Sequence, residues 1–144
     1  MSTRYLCDTN CLVAAVLSWH EHHERTREEL ERRHESGQEL FLAAHSLAEI
    51  YAVLTRLPSP HRLRPSDAKS LIHANWRETR IVHLTGREYW DVIGEVERLN
   101  LAGGQTYDAL IARSALKGGA STLLTWNTRN FGILEGKIEV ASPD

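Results

Sequence analysis

Short apolar runs alternate along this chain with stretches of helical period. "RYLC", Arg4 to Cys7, reads as a first strand, and Thr9 or Asn10 is placed to cap a helix carrying Leu12, Val13, Val16 and Leu17. "HEHHERTREELERRHESG" has opposite charges at three- and four-residue spacing, which predicts a polar helix ending near Gly37. "ELFLAA" is a second strand, and Ser46 is placed to cap a helix with Leu47, Ile50, Tyr51 and Leu54 on one face. Three prolines make "PSPHRLRPS" a loop, and Ser66 opens a helix through Trp76. "RIVHL" is a third strand. "GREYWDVIGEVERLN" is a helix with Tyr89, Val92, Ile93 and Val96 along one stripe. After a loop at Asn100 to Gly104, a helix from Thr106 to Leu116 leads through "GGA" into the strand "STLLTW", and "GKIEVAS" supplies a last short strand. Continuous apolar strands alternating with helices are covered on both faces. The expected fold is α/β: a three-layer sandwich with a mainly parallel central sheet and helices on both faces.

At 144 residues the chain is expected to form one domain, residues 1–144. A net charge of -2 gives no global basic field, so a nucleic-acid partner needs a local patch. Cys7 and Cys11 lack a second Cys or His pair at zinc spacing and read as small buried hydrophobes in a reducing compartment. No apolar run is long enough to span a bilayer and no leader pattern opens the chain, which predicts a cytoplasmic protein without a membrane partner.

Three acids change this picture. Asp8 ends a buried-type strand, an expensive place for a carboxylate unless something pairs with it. Glu49 lies on an otherwise apolar helix, off its main stripe. Asp108 lies in a first helical turn, where the helix dipole favours an acid. Taken singly, each has a plain reading: a turn or cap for Asp8, a solvated face for Glu49, a dipole partner for Asp108. Taken together at one sheet edge they repel, and no lysine or arginine is locally placed to neutralise them. A hard divalent cation does so, which points to Mg²⁺ or Mn²⁺ and to metal-dependent phosphodiester chemistry.

"YLCDTNCLVAAV", "HSLAEIYAVLTRL", "TYDALIARSAL" and "LLTWNTRNF" occur in the order and spacing of PIN-domain ribonucleases. The chain resembles most the VapC toxins of VapBC toxin–antitoxin pairs, over nearly its whole length. The resemblance implies a parallel sheet between helices, an acidic pocket binding Mg²⁺ or Mn²⁺, and an RNA substrate. It implies that Asp8, Glu49 and Asp108 are the catalytic, metal-holding acids, with Thr9, Asn10 and Ser46 orienting them. It further implies a homodimer, paired through the helix from Arg87 to Leu99, and a VapB-type antitoxin laid across a groove near the acids. The chain departs from the family at its last block, which commonly reads Thr-x-Asn-x-x-Asp-Phe. Here the polar positions are Thr125, Asn127 and Asn130, before Phe131. Both candidate positions for a fourth acid are amides, which ligate without charge and predict weak hold on a second metal.

Arg56, His61, Arg62 and Arg64 gather around the loop after the Glu49 helix. A solvated loop is the plain reading. An RNA-phosphate contact, extended by Arg113 and Lys117, is the functional one. His20, His22, His23 and Glu24 lack an HExxH spacing and read as a polar helix start, with His20, His23 and Glu24 on one face. The leading expectation is a metal-dependent endoribonuclease toxin neutralised by an antitoxin. The alternative is a catalytically weak PIN-fold module that binds RNA or antitoxin. An aspartyl-nucleophile phosphatase is disfavoured, because "DTN" lacks the second acid two residues on.

Overall fold

The computed structural model describes residues 3–144. Five strands, β1 (Arg4–Cys7), β2 (Glu39–Ala43), β3 (Arg80–Val82), β4 (Thr122–Leu124) and β5 (Glu139–Ala141), form one sheet. Its order is β3-β2-β1-β4-β5, and every neighbouring pair is parallel. The helices between them are α1 (Thr9–Val16), α2 (His23–Glu35), α3 (Ala44–Thr55), α4 (Pro65–Trp76), α5 (Gly86–Arg98) and α6 (Gln105–Lys117). None of the described helices is long and apolar enough to cross a membrane.

Strand side chains alternate between faces, and the register turns that alternation into two cores. Leu6 pairs with Phe41 and Leu123, and all three sit with Ile111, Ala112 and Ala115 of α6. Tyr5, Cys7, Leu42 and Leu124 point the other way, onto Leu12 of α1, Ile50 and Leu54 of α3 and Trp76 of α4. Phe41 and Leu124 are fully buried, each contributing about 2 kcal/mol of apolar transfer. The arrangement is the expected three-layer α/β sandwich, with a sheet that is wholly rather than mainly parallel.

Local signals explain most element ends. A capping box starts α5: Glu88 N donates to Thr85 Oγ1 at 3.2 Å, and Thr85 N donates to Glu88 Oε1 at 2.9 Å. Pro65 begins α4, where its missing N–H costs nothing. Gly118 ends α6 against the Phe41 ring, leaving no room for a β-carbon, and Gly119 turns the chain into β4 with φ 77°.

Three local expectations are corrected. Asp8 itself, not Thr9 or Asn10, is the N-cap of α1. Ser46 lies inside α3, whose N-cap is Ala43, and is fully buried. His20 precedes α2, which begins at His23, so the expected shared face with His23 and Glu24 does not form. A 3-10 segment, Thr128–Leu134, follows β4 and seats Phe131 and Leu134 in the core. The α5 stripe also divides: Val92 and Val96 pack on Ala109 and Leu110 of α6, while Tyr89, Trp90 and Ile93 are exposed.

Candidate acidic active site

The chain runs from β1 outward to β2 and β3, then returns to place β4 on the other side of β1. Parallel sheets bind ligands where the order reverses, beyond the carboxyl ends of the strands. Asp8 follows β1 at this point and Thr125 follows β4. α3 and α6 bring in Glu49 and Asp108. A cavity of about 320 Å³ is lined there by Asp8, Thr9, Asn10, Glu49, Asp108 and the two amides Asn127 and Asn130, with His20 at its wall. A larger cleft of about 760 Å³ lies near the amino ends of β2 and β3, beside Glu39 and Arg80, and contains none of the three acids.

Hydrogen bonds fix the acids from several elements. Asp8 Oδ1 accepts from Thr9 N at 2.8 Å, and Oδ2 accepts from Thr125 Oγ1 at 2.9 Å. The Thr125 hydroxyl also accepts from Asn127 N at 3.0 Å and Asn10 Nδ2 at 3.4 Å. Asn10 Oδ1 accepts from Trp126 N at 3.2 Å, so this side chain pins the β4 end to α1. Thr9 Oγ1 donates to Glu49 Oε1 at 2.9 Å and lies 3.1 Å from Ser46 Oγ. Thr9, Asn10, Ser46 and Thr125 thus hold position around the carboxylates.

Asp8 is 8% exposed. Burial pushes its carboxyl up to about 6; the Thr125 and Thr9 donors oppose the rise, and the charges of Asp108 and Glu49 add to it. Burial also raises Asp108, as does the Glu49 charge. Among the described residues none of the three acids forms an ion pair with lysine or arginine. Beside Glu49 lies His45, whose Nε2 is 3.2 Å from Glu49 Oε1, off the line of a hydrogen bond. Its ring stacks on Tyr107 at 5.0 Å and 12°.

The arginines fall elsewhere. Arg62 Nε donates to Leu57 O at 2.9 Å within its own loop, Arg64 approaches Asp67 at 3.7 Å, and Arg56 is exposed after α3. Arg113 lines a separate depression with Glu95 and Lys137, and Lys117 is bound to Glu88 at 2.6 Å. None of them lines the acidic cavity. Cys7 and Cys11 are buried free thiols, and burial raises both, which keeps them protonated. Sequence reasoning missed His45 and Tyr107; the signal available was His45 four residues before Glu49 and Tyr107 beside Asp108. It also set aside His20, which carries no periodic signal because it sits in a turn.

Among the described residues no three His, Cys, Asp or Glu side chains close on one point as a protein-only cage for an ion. The donor set nevertheless fits a hard divalent cation. Mg²⁺ is usually held by one or two carboxylates and keeps its remaining positions for water and phosphate oxygens. Uncompensated oxygen donors in an open cavity match that habit, and the absence of thiolate or paired imidazole disfavours a zinc site.

Residues 5–134 match the PIN domain family. Ribonuclease VapC40 of Mycobacterium tuberculosis is 35% identical over 116 residues, 81% of this chain and 81% of that protein. Ribonuclease VapC27 of the same organism is 32% identical over 110 residues, 76% of this chain and 68% of that one. The crystal structure of VapBC2 from Rickettsia felis, bound to a DNA fragment from their promoter, superimposes with a TM-score of 0.68. It is 20% identical and covers 99% of this chain and 100% of that chain, a likeness of fold. By sequence and architecture, this chain belongs to the PIN-domain family, with VapC ribonucleases among its relatives.

Proposed function

We propose that this chain is a divalent-metal-dependent endoribonuclease of the VapC type, acting as a toxin that a VapB-type antitoxin neutralises. The observation that carries the reading is the meeting of Asp8, Glu49 and Asp108 in one cavity without a lysine or arginine counter-charge. Asp8, Asp108 and Glu49 would hold Mg²⁺ or Mn²⁺, which when bound supplies the positive charge that a phosphodiester needs in hydrolysis. Asp8 is the fixed acid, clamped by Thr9 and Thr125. Glu49 is half-exposed, and Thr9 and His45 both approach its Oε1. Its Oε2 has no protein hydrogen bond among the described residues and is placed to take the proton of the attacking water as the new P–O bond forms and the P–O bond to the leaving ribose oxygen breaks. Asn127 and Asn130, exposed at the rim, offer amide donors to phosphate oxygens. Ribonuclease relatives support RNA as substrate, and the structural likeness to a VapBC complex supports the antitoxin. The exposed Tyr89, Trp90 and Ile93 of α5 support a homodimer.

The two rim amides favour a second reading, a PIN-fold module that binds RNA or antitoxin and cuts poorly. Cleavage of RNA by the pure chain decides between them. Asp8→Asn, Glu49→Gln and Asp108→Asn are each expected to lose most of a Mn²⁺-dependent cleavage that chelation abolishes. Cleavage at the wild-type rate by Asp108→Asn, or in excess chelator, overturns the proposal.

A further inference from the structure

A run of aromatic rings borders the acidic cavity. His61, in the loop between α3 and α4, stacks on Trp19 with centroids 4.0 Å apart and planes at 23°. Trp19 lies 6.2 Å from His20, and His20 lies 5.7 Å from His22. His22 then stacks on Trp126 at 3.9 Å and 13°. Two points join this run to the cavity: His20 lines its wall, and Trp126 donates its backbone N–H to Asn10 and precedes Asn127, both of which line it.

The run reaches outward from the core: Trp126 is half-buried against it, His20 and His22 are half-buried, and the far end is open. Trp19 is 48% exposed and His61 is exposed, yet both rings are already ordered against each other. Trp126 is anchored by its Nε1 donating to Thr26 Oγ1 at 2.9 Å. Exposed arginines flank the run in sequence: Arg56, Arg62 and Arg64 around the His61 loop, and Arg129 after Trp126. Glu21 is the one acid within it, 3.5 Å from His22 Nε2. Rings with flanking cations are the chemistry that holds a single-stranded nucleic acid: bases stack on the rings and phosphates meet the guanidinium groups. Paired bases are already stacked on each other and do not offer those faces.

We infer that His61, Trp19, His20 and His22, anchored on Trp126, form a stacking track for unpaired bases of an RNA strand whose backbone passes the acidic cavity. This inference rests on the ribonuclease reading for the choice of RNA. The track selects single-stranded over duplex RNA and positions the strand, without itself touching the reacting atoms.

The test uses the full-length chain carrying Asp108→Asn, in chelator, with a fluorescein-labelled single-stranded oligoribonucleotide read by anisotropy. Comparison probes are the blunt duplex of the same sequence and an abasic strand of the same length. Adding Trp19→Ala is expected to raise Kd for the intact strand by about tenfold, with little effect on the duplex. Trp19→Phe keeps most of the affinity, and the abasic strand binds the protein that retains Trp19 as weakly as the intact strand binds the alanine variant. Equal affinity of the proteins with and without Trp19→Ala, or of intact and abasic strands, overturns the track. Should Trp19→Ala fail to fold, the phenylalanine variant and the abasic strand still decide. The otherwise unaltered chain is assayed for cleavage in Mn²⁺ alongside. Cleavage with ring-independent binding removes the track and leaves the nuclease; ring-dependent binding without cleavage does the reverse.

Discussion

Thr125 Oγ1 donates to Asp8 Oδ2 at 2.9 Å across the seam where β4 lies beside β1. One hydroxyl thereby joins the first acid to the block that closes the cavity, since the same oxygen receives the Asn127 and Asn10 N–H groups. Its donation to the ionised carboxylate opposes the effect of burial.

Thr125→Val keeps the shape and removes the donor. Leaving a buried carboxylate short of one partner is expected to destabilise the fold by about 1–3 kcal/mol and to cut cleavage sharply. Thr125→Ser retains the hydroxyl and is expected to retain most of both. Urea unfolding and RNA cleavage of the two variants check this; a valine variant equal to wild type in both refutes the clamp.

Asp8 is held near 6 against an ordinary 3.8. The folded chain therefore binds this proton more tightly than the unfolded chain, so its contribution to stability is present at low pH and is lost as pH rises through about 6. In metal-free protein above that pH the ionised group is destabilising by about 3 kcal/mol. Asp8→Asn keeps an acceptor for Thr9 N and a good N-cap. It is expected to melt higher than wild type at pH 7.5 in chelator, with the gap shrinking as pH falls from about 6 toward 4. A gap of opposite sign, or one that ignores pH, counts against this account.

Divalent cations that bind the folded state alone raise its melting temperature by mass action. Millimolar Mn²⁺ or Mg²⁺ is expected to raise that of wild type by several degrees and to leave Asp108→Asn nearly unmoved. Identical curves with and without metal, in both proteins, remove the metal pocket.

Asn130 lines the cavity as a neutral group. Asn130→Asp adds a charged ligand, and carboxylate count tunes such affinities. The Mg²⁺ concentration for half-maximal cleavage is expected to fall, while the metal-free protein loses stability through added repulsion. Asn127→Asp is the companion variant, and cleavage against Mg²⁺ concentration is the measurement. If neither substitution shifts the curve, both amides serve only the turn after β4.

Trp90 is 75% exposed and Ile93 is 50% exposed on α5. Apolar groups displayed in this way are expected to pair two copies about a twofold axis. Light scattering of the pure chain at high micromolar concentration is expected to give a dimer, and Trp90→Glu with Ile93→Glu a monomer with unchanged circular dichroism. A monomeric wild type refutes the pairing.

The sequence by itself determined the alternation of elements. Apolar runs such as "LFLA" and "YLC" have no charged phase, so they demand cover on both faces, and the helical periods between them supply it. It also marked Asp8, a carboxylate ending a buried-type strand, while Glu49 and Asp108 gained meaning only when taken together with it. Proximity along the chain settled little else. Whether Ser46 caps a helix or sits buried beside Thr9 depends on α1 and α3 packing together, an event between residues 37 positions apart. Asp8 takes the cap because β1 ends one residue before the chain can turn, and Thr125 meets it only through the β1–β4 pairing. The partners of Glu49 and the aromatic run past His20 arise in the same way, from helices and turns brought side by side. Periodicity reports which face of an element is apolar; only the packed structure decides which polar groups on different elements come to share one cavity.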